Sequence, residues 1–107
     1  MDAAYLYLVR FWVSPEGAQA VLHWLDSHHM HDVVSQPGFR WMRRVRLDQD
    51  AEDGWHAYMM IYALESKAAL QRYFDGPAPA RFAEERKPFQ QHIRMERNWG
   101  AVDARIN

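Results

Sequence analysis

The stretch Trp24-Leu25-Asp26-Ser27-His28-His29-Met30-His31-Asp32-Val33-Val34-Ser35-Gln36-Pro37-Gly38-Phe39 decides how this chain is read. It is the second half of an amphipathic helix, then a breaker, then the first residue of a strand. At about 100° per residue, Ala18, Val21, Leu22, Leu25, His29 and Val33 share one face. His29 sits near the middle of that aliphatic stripe. Trp24, His28 and His31 take a neighbouring flank. Three of the chain's six histidines thus crowd one place, and His29 is the one expected to point inward to a pocket.

Working outward, Ser14-Pro15-Glu16 reads as the start of that helix: a Ser N-cap, Pro at the first helical position and an acid in the first turn. Residues 4–13, AYLYLVRFWV, read as a strand with Tyr5, Tyr7, Val9, Phe11 and Val13 on one face. Leu6, Leu8, Arg10 and Trp12 occupy the other. Residues 39–47 form a second strand, in which Phe39, Trp41, Arg43, Val45 and Leu47 alternate against Arg40, Met42, Arg44 and Arg46. The acidic segment 48–54 is a hairpin loop. Residues 55–64 give a third strand, with Tyr58, Met60, Tyr62 and Leu64 against Trp55, Ala57, Met59 and Ile61.

Ser66 caps a short helix carrying Leu70, Tyr73 and Phe74, stopped by Gly76-Pro77. Residues 78–87 add a helical segment around Phe82, closed near Pro88. Residues 89–99 return as a strand with Ile93, Met95, Arg97 and Trp99 on one side. The tail from Gly100 is expected to be mobile or to cross onto a neighbouring subunit.

The order is β-α-β-β-α-β, an α+β ferredoxin-like sandwich: a four-stranded antiparallel sheet with helices on one face. Both faces of the first and third strands are apolar, and two helices cover only one. A second copy packed sheet to sheet solves this, so a homodimer through the open face is expected.

The 107 residues suit one domain, spanning 1–107 with 100–107 as a tail. Hydrophobic residues make up 49%, which argues against disorder. A formal charge of -1 with interspersed signs shows no basic face, so nucleic acid is not an expected partner. The absence of Cys removes disulfides, thiolate nucleophiles and Cys-based zinc sites, and fits a cytoplasmic protein. Neither a signal peptide nor a bilayer-spanning run is evident, so no membrane partner is expected.

Several motifs carry a family resemblance over residues 4–99. They are Val13-Ser14-Pro15-Glu16 at the first strand exit, then Trp24, His29 five residues on, Asp32 and Val33, then Ala78-Pro79 and Phe89 eleven residues after that Ala. Together they resemble the dimeric α+β-barrel superfamily, and within it a family of small uncharacterised proteins. The eight residues from His29 to Pro37-Gly38 are also similar to EthD-type proteins and muconolactone isomerase-like enzymes. In the latter the matching His serves acid-base chemistry, so the resemblance implies that role for His29. Haem-degrading members that use an Asn in the first strand would need it near Val9, and that strand has none. Where the small family often has a second His after Ala-Pro, this chain has Glu85.

An imidazole on an aliphatic helix face tends to stay neutral and can act as a base. The alternative is a core histidine satisfied by a backbone carbonyl or a Tyr hydroxyl. With His29 as base, Tyr58 or Tyr62 would donate the proton and Arg43 or Arg10 would hold an anionic group. Tyr7, Phe11 and Trp41, with Tyr58 and Tyr62, would line a cavity for a planar or aromatic ligand; ordinary packing is the alternative. His28, His29 and His31 lack a pattern that converges on a metal, and no nucleotide, flavin or metal motif is present; the expected cofactor is none. The leading reading is a cofactor-independent isomerase or monooxygenase acting on a small hydrophobic or aromatic organic acid. A non-catalytic ligand-binding or stress-associated dimer is the alternative, and a haem-binding protein a further one.

Overall fold

Strand β1 (Tyr5–Val13) runs through the middle of the sheet, and its alternation sets both faces of the molecule. The structure, a computed structural model, describes residues 3–107. Strands β2 (Phe39–Arg46), β3 (His56–Leu64) and β4 (Ile93–Ala101) complete a sheet of order β2-β3-β1-β4. β1 pairs antiparallel with both β3 and β4, and β2 pairs antiparallel with β3. The βαββαβ chain order and this sheet order are those of the ferredoxin-like fold.

Tyr5, Tyr7, Val9, Phe11 and Val13 are all buried, with Val13 wholly so. Their partners across β3, Leu64, Tyr62, Met60, Tyr58 and His56, project to the same side. Helices cover this side. α1 (Ala18–Trp24), a π-helical turn (Leu25–His29) and α2 (Met30–Val34) form one continuous rod. α3 (Lys67–Asp75) and α4 (Ala78–Arg86) lead into a 3₁₀ turn (Lys87–His92). Val21, Leu25 and Val33 from the rod, Leu70 from α3 and Phe82 from α4 close the core. Each such side chain contributes about 1.5–3 kcal/mol when fully buried.

Four local expectations need correction. The first helix begins at Ala18 rather than beside Ser14. Ser14 caps the turn before it, accepting from the Gly17 N–H at 3.0 Å, while its Oγ hydrogen-bonds His92 Nδ1 at 2.8 Å. Residues 87–92 wind as a 3₁₀ turn, because Pro88 lies at its first positions, so the last strand starts only at Ile93. That strand continues past Gly100 to Ala101, pairing Gly100 with Leu6 and Ala101 with Tyr5. A β-bulge between Phe39 and Trp41 breaks the alternation of β2. Phe39 therefore shares the helix-covered face with Met42 and Arg44, packing edge-on against Tyr62 and Tyr73.

The opposite face carries Leu6, Leu8, Arg10 and Trp12 of β1, Met59 and Ile61 of β3, and Trp41, Arg43 and Val45 of β2. No helix among the described residues covers it, and Val45 is 41% exposed. No helix among the described residues is long and apolar enough to cross a membrane.

Candidate functional site

His29 ends the π-helical turn, where the Met30 N–H bonds back to the Leu25 carbonyl instead of one residue later. That wider turn changes which side chains stack. Residues five apart on a regular α-helix point about 140° apart, yet here the Trp24 indole and the His29 imidazole lie face to face, centroids 4.5 Å apart. Phe89, from the 3₁₀ turn, stacks on the other side of Trp24 at 5.0 Å, and Phe82 meets the imidazole edge-on at 5.0 Å. His29 is 8% exposed, and its Nδ1 is buried without a hydrogen-bond partner. Burial, reinforced by the positive charge of Arg86, holds its pKa down at about 4, so the ring is neutral at pH 7.

His29 lines a cavity of about 390 Å³ between the sheet and the helices. Aliphatic and aromatic side chains make most of its wall: Val9, Phe11 and Met60 from the sheet floor, Trp24 and Leu25 from the rod, Phe82 from α4. Tyr7, Tyr62 and Tyr73 add hydroxyls. Burial pushes the Tyr62 phenol far above its ordinary value, and its hydroxyl donates to Met60 Sδ at 3.6 Å. Burial likewise pushes Tyr73 up to about 12. Both phenols stay protonated at pH 7, as hydrogen-bond donors rather than proton acceptors. Tyr7 is raised by burial too, with the nearby Arg97 guanidinium pulling the other way.

Two guanidiniums reach the wall, Arg86 from the end of α4 and Arg97 from β4. Desolvation, then the charge of Arg97, lowers the Arg86 pKa. Among the described residues, no aspartate or glutamate lines the cavity.

The structure divides the residues expected at the site. Tyr7, Phe11, His29 and Tyr62 share the cavity. Tyr58 lies on the same sheet face but outside it, stacked on Phe11 at 5.0 Å with the Arg44 and Arg46 guanidiniums over its ring. Trp41, Arg43 and Arg10 are on the opposite face, because β2 is bulged before Trp41 and Arg10 alternates with Val9 and Phe11. Arg43 caps the Trp41 ring at 5.1 Å, and Arg10 approaches Glu96 at 3.9 Å. The guanidiniums that reach the cavity wall are instead those of Arg86 and Arg97. The signal for Arg97 was its position on one strand face with Ile93, Met95 and Trp99. Arg86, the last residue of α4, had no such signal.

The remaining histidines of the cluster face away from the cavity wall. His31 Nε2 donates to the Asp26 carbonyl at 2.7 Å. His28 Nε2 lies 3.3 Å from Asp32 Oδ2 and 3.9 Å from Glu85 Oε1. Among the described residues these three form a group with donors close enough to hold a metal ion. The same geometry is met by an imidazole hydrogen-bonded beside two carboxylates.

A helix-roofed antiparallel sheet of order β2-β3-β1-β4 defines the ferredoxin-like α+β class. Within it, residues 4–99 match the family described as a domain of unknown function, DUF4286, and the chain belongs to that family. Comparison with curated proteins returns no match. Solved structures of the same fold include a dimeric ferredoxin-like protein from an uncultured marine organism, 18% identical, covering 97% of this chain and 99% of that one, with a TM-score of 0.69. SnoaB, a cofactor-independent oxygenase from Streptomyces nogalater, is 18% identical over 98% of each chain, with a TM-score of 0.65. MhuD, a heme-degrader from Mycobacterium tuberculosis with two hemes bound in its active site, is 24% identical over 95% of this chain and 99% of that one, with a TM-score of 0.64. At these identities the likeness establishes the fold.

Proposed function

We propose that the protein is a single-domain cytoplasmic homodimer that takes a small hydrophobic or aromatic organic acid into the cavity beside His29. There it acts without a cofactor, as an isomerase or a monooxygenase. The observation that carries this reading is the His29 imidazole: neutral, buried in the cavity wall, with Nδ1 unpartnered. Such a group accepts a proton from a carbon α to a carbonyl or from a phenol. Returning that proton at another carbon is isomerisation; reaction of the carbanion with dioxygen is oxygenation. Tyr62 supplies a donor for the developing oxyanion. SnoaB, of the same fold, is a cofactor-independent oxygenase, which supports the second outcome.

The homodimer reading rests on the uncovered sheet face and on the dimeric ferredoxin-like protein of the same fold. Stacking of His29 between Trp24 and Phe82 favours one rival, a ligand-binding protein in which the imidazole is structural. The likeness to MhuD raises haem as the ligand.

His29→Phe keeps the ring stack and removes the base, so it separates these readings. The enzymatic reading predicts that the variant folds and binds organic acids but loses turnover by at least about 100-fold, the usual share of one general base. Unchanged turnover would overturn it. Haemin titration tests the haem reading by the presence or absence of a Soret shift.

A further inference from the structure

Arg86 and Arg97 have no role in holding the fold that the described ion pairs reveal: none of those pairs includes either residue. The two come from different elements, the end of α4 and the middle of β4, and both reach one cavity. They are close enough for each to act on Tyr7 and Tyr73. The wall they share is otherwise apolar and aromatic and, among the described residues, holds no carboxylate. Two like charges, Arg86 half-buried and Arg97 exposed at the cavity rim, repel each other beside this apolar wall, and the missing counter-charge is the feature to explain.

We infer that the space between Arg86 and Arg97 is an anion subsite, and that the ligand is an aromatic carboxylate whose acid group bridges the two guanidiniums while its ring lies among Trp24, Phe82 and Phe11. This deepens the proposed function and rests on the reading that the cavity takes a small aromatic ligand. Guanidiniums match a carboxylate in planar, paired hydrogen bonds, and neighbouring tyrosine hydroxyls complete the donor set.

The subsite also couples ligand charge to His29. The groups acting on His29 are Arg86 from α4, Arg97 from β4, Asp32 from α2 and His28 beside it in the π-helical turn. Arg86 is the largest charge disfavouring a proton on the ring, and Arg97 acts in the same sense. A bound carboxylate neutralises both, so the imidazole becomes a stronger base only when the acid is in place. A neutral analogue leaves it weak.

Calorimetric titration with 2-naphthoate and with 2-naphthamide, its neutral isostere, tests the inference. The carboxylate is expected to bind at least about tenfold more tightly than the amide. Arg86→Gln and Arg97→Gln each erase that preference while leaving amide binding unchanged within about twofold. If either variant fails to fold, the other and the wild-type comparison decide. In NMR titrations, 2-naphthoate moves the His29 titration to higher pH and 2-naphthamide does not. Equal binding of acid and amide overturns the anion subsite while leaving the cavity a ligand site. Binding of neither overturns both readings.

Discussion

The imidazole of His29 lies on the indole of Trp24 with ring planes 22° apart, although the two residues are five apart on one helical rod. The π-helical turn Leu25–His29 makes this contact possible, bringing the indole onto a ring that lines the cavity. The π turn is thus both an irregularity of the fold and the source of the indole–imidazole stack.

A buried neutral histidine makes stability depend on pH. The His29 pKa is depressed in the folded protein, from 6.5 to about 4. The unfolded chain therefore binds the extra proton first. The stabilisation is fully present above pH 6.5 and is lost as pH falls toward 4, by about 3 kcal/mol in all. His29→Phe should remove that part of the slope. Urea denaturation of both proteins at pH 7 and pH 4.5 measures the difference; parallel pH profiles would exclude a buried neutral ring.

On the uncovered face, Ile61 of β3 stands opposite Leu8 of β1. If a second copy covers this patch, Ile61→Lys places a charge in the interface and should give a monomer, with a lower Tm than the wild-type dimer. Light scattering after gel filtration reads the masses. A wild-type monomer would contradict the sheet-to-sheet assembly.

Gly38, just after the rod, has φ +87°, and a Cβ there would collide with the Ala69 Cβ. Gly38→Ala combines left-handed strain with overpacking and should cost about 2–4 kcal/mol. Gly54 has φ +90° but nothing within 4 Å of a Cβ, so Gly54→Ala should cost only the strain, about 1–2 kcal/mol. Thermal denaturation of the two variants compares a crowded turn with an open one.

Much of this arrangement was legible in the sequence. The alternation of residues 4–13 sorted the two sheet faces, and the stripe Val21, Leu25, His29, Val33 placed His29 against the core, where it lies. What escaped were insertions that leave no compositional mark. A single bulged residue in β2 moves Phe39 to the face opposite Trp41, and a π turn swings Trp24 from a flank onto His29. The site was half legible for a related reason. Tyr7, Phe11, His29 and Tyr62 line one cavity from neighbouring, periodic elements, whereas Arg86 at the end of α4 and Arg97 in β4 reach it only through the tertiary fold. Arg10 and Arg43, the more conspicuous arginines within apolar strands, alternate to the wrong side.

The state of the His29 ring in the folded, ligand-free protein tests the central claim most directly. Long-range ¹H–¹⁵N NMR of the imidazole from pH 8 down to pH 3.5 follows its protonation. The account predicts a neutral ring until pH nears 4. A ring that titrates with the ordinary histidine value of about 6.5 would contradict it.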